Sequence, residues 1–292
     1  MLEFEAINLE KQQTYLQHLG KCLQISSDYS FLNLWGWAEE YGLGWAWQDR
    51  LVWIKQTWPE DLYWAPVGAW ETVDWNASLD KILSRPAVFT RVPEKLVECW
   101  ETRLGNRLTI SDERGNWDYL YSVPELVELK GNRFHKKKNL LNQFKKKYAY
   151  QYLPLGPQMI ENALAMQTDW CTWRDCESSE ILASENRAIA KILGQWPNLT
   201  GQLGGAVLVE KTLVAYTVAE RLTHDIVLIH FEKGGPEYKG VYQAINQMFL
   251  ASLKNEFAIV NREQDLDDEG LRKAKLSYNP TGFLRKYRVR IS

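Results

Sequence analysis

The stretch from Tyr216 to Tyr278 limits what this chain can fold into more than any other. It opens in apolar, β-rich sequence, LVAYTVAERL and DIVLIHF, and passes through a glycine-broken loop, EKGGPEYKG. A run of helical period follows, VYQAINQMFLASLKNE, then the short apolar FAIV and the polar block NREQDLDDEGLRKAKLSYNPTGF. Strand, strand, glycine turn, helix, strand and helix is the order of an α/β unit with a mononucleotide-type site. The N–H groups that begin a helix are unpaired and attract anions. Gly234, Gly235 and Gly240 permit a close backbone approach, while Pro236 removes one donor from the loop.

At 292 residues the chain is longer than one core usually grows, so two domains are expected, 1–124 and 125–292. An apolar fraction of 45% and a charged fraction of 25% fit a globular protein in water. No apolar run approaches the ~18 residues of a membrane span. The beginning, MLEFEAINLEKQ, is acidic and polar where an export signal is basic and then apolar, so a cytoplasmic location is expected. Cys22, Cys99, Cys171 and Cys176 form no CxxC, and four scattered histidines offer no partner set, so no metal site is expected. Cys171 and Cys176 are spaced closely enough to bridge, but a reducing compartment favours free thiols.

The net charge of −2 conceals an uneven distribution. Between Leu129 and Ile160 there is no acidic residue, whereas Lys130, Arg133, Lys136, Lys137, Lys138, Lys145, Lys146 and Lys147 fall there with His135. Such a local field attracts polyanions. The segment ELVELKGNRFHKKKNLLNQFKKKYA reads as a helix breaking near Gly131, with Phe134, Leu141 and Phe144 on one face and lysines on the others. Earlier in the chain, LGWAWQ and RLVWIKQ read as strands joined at Asp49-Arg50, LYWAPVG and AVFTRVP as further strands, and Trp75 to Arg85 as a short helix. PEKLVECWETRLG is a helix begun by Pro93, and RLTISDERGNWDYLY closes the first half. Eleven of the fourteen tryptophans precede residue 120, which reads first as core and second as a ligand groove or dimerisation platform. After YQYLPL come two helices, one begun by Pro157 and one capped by Ser178 or Ser179, then a hairpin at Glu210-Lys211 and, at the end, the strand YRVRI.

This order resembles the fold of the GCN5-related N-acetyltransferases. More closely, KGNRFHKKKNLLNQFKKKY, the segment HFEK through YKGVYQAIN, and NREQDLDDEGLRKAKLSYNP resemble a bacterial family related to the C-terminal domain of phosphatidylglycerol lysyltransferase. The resemblance covers roughly 125–290. It implies mixed α/β sheets and two acyltransferase-like domains in tandem, the first a diverged copy. The implied reaction is acyl or aminoacyl transfer to an amine or hydroxyl, with aminoacyl-tRNA as first donor and acyl-CoA as second.

Such a transfer needs a polarised carbonyl, a deprotonated acceptor and a protonated leaving group, and no nucleophile triad. By resemblance, Tyr278, ahead of Gly282-Phe283, matches a tyrosine that protonates the leaving group; a phenol of pKa ~10 suits a thiol or ribose hydroxyl. Lys233, Gly234, Gly235, Lys239, Gly240 and Tyr242 occupy the place of the donor-binding loop, with one glycine and one cation of the family's pattern in Tyr238–Tyr242. Asn261, Arg262, Glu263 and Asp265 follow FAIV at the carboxyl end of a buried strand, where side chains point into clefts. Arg262 can clamp a carboxylate or phosphate, and Glu263 or Asp265 can hold or deprotonate an amine, Glu263 being the catalytic candidate. Arg272 and Lys275 share a helical face beside the Tyr278 turn. His230 with Glu232 is a candidate base. Lys136, Lys137, Lys138, Lys145, Lys146 and Lys147 form a candidate patch for RNA phosphates. Two other readings stay open: an acyl-CoA-dependent N-acyltransferase, and a non-catalytic RNA-binding or regulatory module. The expected partners are tRNA and a small-molecule or peptide acceptor, with a homodimer also open.

Overall fold

The computed structural model describes residues 2–48, 50–82, 86–253 and 255–292. They form two compact units, one of Met1–Asp118, Gln264–Glu269 and Phe283–Ser292, the other of Tyr119–Glu263 and Gly270–Gly282.

The first unit is built on a mixed sheet of β1 (Glu5–Ala6), β2 (Gly44–Gln48), β3 (Leu51–Gln56), β4 (Leu62–Gly68), β5 (Ala87–Pro93), β6 (Leu108–Asp112) and the C-terminal β14 (Lys286–Ile291). Their order is β1-β2-β3-β4-β5-β14-β6. Among the described residues of this sheet only β4 and β5 pair in parallel, at Tyr63↔Phe89 and Trp64↔Thr90. The expected strands β2 and β3 are present; Asp49 of their turn, and 83–85 at the end of the helix Trp75–Ile82, lie outside the described residues. Most of the tryptophans are core: Trp45, Trp53, Trp70, Trp75 and Trp100 are all less than 2% exposed, whereas Trp58 is 67% exposed. Trp100 meets Trp75 and Phe89 edge-on at 5.4 and 5.0 Å, a favourable arrangement for ring quadrupoles.

A buried polar cluster joins the separate pieces of this unit. Lys286 Nζ lies 2.6 Å from Asp118 and also contacts Asp28, while Gln264 donates to Ser27 Oγ at 2.8 Å and Asp28 Oδ1 at 3.0 Å. Each buried charge here has an opposite partner, without which burial would be costly.

The second unit carries β7 (Asp118–Ser122), β8 (Tyr150–Pro154), β9 (Gln202–Val209), β10 (Thr212–Arg221), β11 (Ile226–Gly234), β12 (Ile259–Asn261) and β13 (Gly282–Leu284), in the order β13-β7-β12-β11-β10-β9-β8. β10 is buried from Leu213 to Glu220, because helices pack on the sheet. The helix Ile160–Arg174 turns Ala163, Met166, Gln167 and Trp170 inward at a spacing of three and four. Glu180–Gly194 is capped by Ser179, which accepts from the Leu182 N–H. The lysine-rich stretch is broken as expected, at Leu129 (φ +46) and Gly131 (φ +86), between the helices Val123–Glu128 and His135–Lys147.

Two features differ from the sequence reading. The final strand joins the first sheet, and β7, expected to close the first half, joins the second. Each lies antiparallel beside the second member of a parallel pair, β14 against β5 and β7 against β12. An unpaired strand edge accepts any strand with the right alternation, wherever it lies in sequence. Cys171 and Cys176, expected free, form a disulfide. Asp175, at φ +52, ends the helix in a left-handed turn that folds Cys176 back, with 5.0 Å between the two Cα atoms.

Candidate active site

In the second unit the parallel strands part. β11 and β12 pair only at Ile226↔Ile259, Val227↔Val260 and Leu228↔Asn261; β12 then stops while β11 continues to Gly234. Against β10 the register slips, with Ala219 opposite Ile229 and Val218 opposite Phe231, so His230 is the extra residue of a bulge. Bulges re-aim side chains, and here Ile229, His230 and Glu232 all line one cavity of about 410 Å³. Arg262, Lys137, Tyr242, Gln243, Lys275 and Tyr278 line it as well. Sequence positions up to 141 apart thus converge at the carboxyl ends of parallel strands, where α/β folds place their ligands.

Tyr278 is 7% exposed, and its hydroxyl accepts from Gln243 Nε2 at 3.1 Å. Burial raises its pKa, against the opposing effect of Arg262, so the phenol stays protonated. Arg262 stands over the Tyr278 ring at 4.8 Å and donates through Nη2 to Glu232. Burial works against its charge, but Glu232 outweighs it and holds the guanidinium ionised. Glu232 also accepts from Asn246 Nδ2 at 2.9 Å. Arg262 Nη1 is buried and has no hydrogen-bond partner among the described residues, a donor without an acceptor beside a cavity. Lys137 Nζ lies 4.0 Å from the Tyr278 ring centre, and Lys275 donates to the Arg262 carbonyl. Three cations against Glu232 and a neutral phenol favour an anionic group in the cavity.

His230 is corrected from the role of base. Its side chain is fully buried, with Nδ1 2.8 Å from Glu263 and Nε2 3.4 Å from Glu220. Burial opposes its charge, yet Glu220 and then Glu263 raise its pKa to about 9. An imidazolium between two carboxylates has no lone pair to accept a proton. Glu263, read as catalytic, is its hydrogen-bond partner, and Glu232 is the partner of Arg262.

The donor loop is also corrected in part. Lys233 is buried, pairs with Glu185 at 2.7 Å and stands 3.7 Å over the Trp170 ring, so its charge is already engaged. Gly234 faces Val241, where a Cβ would come within 2.6 Å of Cγ1. Gly240, at φ +88, lies against the carbonyl of Leu140, where a Cβ would come within 2.3 Å of the oxygen. Both glycines serve packing. Gly235 and the exposed Lys239 stay in the loop, and the Tyr242 hydroxyl accepts from Trp170 Nε1 at 3.2 Å. Asn261 is buried and accepts from the Glu263 N–H at 2.8 Å, shaping the turn. Asp265 belongs to the first unit, is paired with Arg114 at 3.1 Å and does not line the cavity. Arg272 does not line the cavity, although Lys275, three residues on, does.

Gln243 and Asn246, which donate to Tyr278 and Glu232, are positions of the candidate site that the sequence reading passed over. The available signal was that Gln243 and Asn246, two of the three amides on the helix Val241–Ser252, stand three apart and so share a face. On the helix His135–Lys147, Lys136, Lys138, Lys145, Lys146 and Lys147 are exposed while Lys137 turns to the cavity.

The first unit has the same parting and closes it. Beyond the last pair of β4 and β5, the Ala65 N–H donates to the Tyr29 hydroxyl, which donates to the Arg91 carbonyl, both at 2.9 Å. A phenol bridges the gap that is a cavity in the second unit.

Parallel strands that part over a cavity, with a crossover helix between them, are the arrangement of the GCN5-related fold type. The chain belongs to the family described as Phosphatidylglycerol lysyltransferase, C-terminal, which it matches over residues 21–290. The match begins well before residue 125, so the likeness takes in the first unit as well. A conserved protein of unknown function from Bacteroides thetaiotaomicron covers 100% of both chains at 30% identity, with a TM-score of 0.88. L-PGS from Bacillus licheniformis shares the fold at 11% identity, with a TM-score of 0.67 over 98% of this chain and 92% of that one. An uncharacterized protein of Mycoplasmoides gallisepticum is 24% identical over 179 residues, 60% of this chain; the match spans 56% of that relative's length. Among the described residues no helix is long and apolar enough to cross a membrane.

Proposed function

We propose that the chain is an aminoacyl transferase that moves an aminoacyl group from the ribose ester of an aminoacyl-tRNA to a small amine or hydroxyl acceptor. The observation that carries this reading is the meeting of the buried Tyr278 hydroxyl and the unpartnered Arg262 Nη1 in one cavity, in a family described as a lysyltransferase. In the reaction the acceptor attacks the ester carbonyl, the bond to the ribose oxygen breaks, and the acceptor's proton ends on that oxygen. Arg262 Nη1 donates to the carbonyl oxygen as it becomes negative. Tyr278, kept protonated by burial, gives its proton to the ribose oxygen and regains one from the acceptor, so the protein is unchanged after one cycle. Lys137 and Lys275 suit a phosphate of the acceptor end, and the exposed lysines of His135–Lys147 suit the RNA backbone. The acyl-CoA alternative draws less support, because Lys233 and Gly240 of the expected pyrophosphate loop are engaged in ion pairing and packing.

The test titrates the protein with charged tRNA, uncharged tRNA and acetyl-CoA at two salt concentrations, then follows transfer of a labelled aminoacyl group to a panel of amines and alcohols. The expected result is a preference for charged tRNA, with transfer reduced about 100-fold or more in Tyr278→Phe at unchanged tRNA affinity. Tight acetyl-CoA binding that is lost on changing Lys239, with no preference for charged tRNA, would overturn the reading.

A further inference from the structure

Three charged groups of the second unit, the buried Glu220 and His230 and the partly exposed Glu263, take no part in the proposed transfer. Glu220 is 4% exposed, near the end of β10, and the His230 ring lies between its carboxylate and that of Glu263. We propose that Glu220 and His230 are positioning residues: through Glu263 they hold the turn after β12 so that the Arg262 guanidinium stays in the cavity. This inference rests on the cavity being the transfer site.

The row runs across three elements. Glu220 comes from β10, His230 from the bulge of β11 and Glu263 from the turn after β12. Glu263 adopts φ +56, a left-handed conformation that a side-chain-bearing residue takes only when its surroundings enforce it. Three contacts enforce it: its carboxylate on His230 Nδ1 at 2.8 Å, its N–H on Asn261 Oδ1 at 2.8 Å, and its carbonyl accepting from the Tyr119 N–H at 3.1 Å. Of these, only the first reaches across to β11, the strand on the far side of the parting. Arg262 immediately precedes Glu263, so the rotation of this turn decides where its guanidinium points. The bulge has a matching purpose. Without the extra residue, His230 would fall into regular alternation with Glu232 on the same face, and Ile229 would face away.

His230 Nδ1 is hydrogen-bonded to Glu263, and Nε2 lies 3.4 Å from Glu220 Oε1 without hydrogen-bond geometry, so a carboxylate stands near each ring nitrogen and the charge of the doubly protonated ring is favoured. The charged or titratable groups around it are Glu220 and Glu263 in contact, and Glu232, Arg262, Lys275, Lys137 and Tyr278 across the cavity. The raised pKa of about 9 agrees with this geometry.

The experiment uses nitrogen-15 resonances of the His230 ring and the Arg262 guanidinium in the intact chain, in the wild type and in Glu220→Gln. In the wild type both ring nitrogens are expected to be protonated at pH 7, with a midpoint near 9. In Glu220→Gln the midpoint falls toward the ordinary histidine value and the Arg262 guanidinium exchanges faster. Where transfer is measured, kcat falls by about 3- to 30-fold at unchanged KM for the aminoacyl-tRNA, in line with the coupling of residues that touch no ligand. A wild-type ring with one bare nitrogen at pH 7 overturns the proposal, and needs no variant to fold. An Arg262 signal unaltered in a folded Glu220→Gln also overturns it. These readouts require no substrate. Absence of transfer with the ring and guanidinium behaving as expected would therefore sink the aminoacyl-transfer reading and leave the positioning role standing.

Discussion

Replacing Gly240 by alanine separates a structural glycine from a ligand-cradling one. At φ +88 a side-chain-bearing residue is strained by about 1–2 kcal/mol. The added Cβ would also lie 2.3 Å from the Leu140 carbonyl oxygen, 3.0 Å from its carbon and 3.2 Å from Phe144 Cβ. Two of these three atoms are helix backbone, which cannot swing aside as a side-chain tip would. The helix His135–Lys147 must therefore shift, and overpacking of this kind costs about 1–3 kcal/mol. The sum is about 2–5 kcal/mol, a large part of the ~5–15 kcal/mol that stabilises a typical domain. Urea unfolding followed by fluorescence should show a lower midpoint at unchanged slope. The shift of the helix should also draw Lys137 from its place over Tyr278. A loss of less than about 1 kcal/mol, accompanied by selective loss of acetyl-CoA binding, would refute the packing argument and return Gly240 to the donor loop.

Raising the pH should weaken the fold through His230. Its pKa is about 9 in the folded protein against an ordinary 6.5, so the stabilisation is complete below pH 6.5 and is lost as pH rises through 9, about 3 kcal/mol in all; a flat unfolding midpoint over that range would contradict the charged row. Changing Lys136, Lys138 and Lys146 together to alanine should leave stability within about 0.5 kcal/mol and reduce the salt dependence of tRNA binding by about 2 in log–log slope; an unchanged slope would remove the helix from the RNA surface. Replacing Cys171 and Cys176 by serine should cost about 2 kcal/mol relative to the oxidised protein, as expected for a closed loop with a sequence separation of 5, checked by urea unfolding with and without a dithiol.

The sequence was most legible where chemistry follows directly from a strand end. Arg262 and Glu263 come straight after FAIV, Glu232 lies near the end of DIVLIHFEK and Tyr278 at the end of a helix, so topology alone brings them near a cleft. The reading failed where one residue type serves two physical ends. A glycine demanded by a neighbouring carbonyl, as at Gly240, looks in sequence like a glycine demanded by a phosphate. A histidine at a strand end looks like a base until its two carboxylate neighbours, one on another strand, are seen. Glu220 gave only a faint sign, a charge at the end of an apolar strand, and Lys137 was hidden among lysines that do face solvent.

Strand exchange was invisible for a different reason. Pairing between β14 and β5, and between β7 and β12, joins segments far apart in the chain, and hydrophobic alternation carries no record of which edge a strand will meet. Once the exchange is seen, the two sheets have the same plan: four antiparallel strands, a parallel partner, an antiparallel strand taken from elsewhere in the chain, and one last strand beside it. The plan therefore cannot by itself explain why one unit has a cavity. What differs is the occupant of the parting. In the first unit Tyr29 ties Ala65 of β4 to Arg91 of β5 through one hydroxyl, satisfying both backbone groups without a ligand. In the second, Lys275 satisfies only the Arg262 carbonyl, from the rim, and the space between the strands stays open beside an arginine with a nitrogen to spare. The candidate site is the place where this fold leaves its strand edges open.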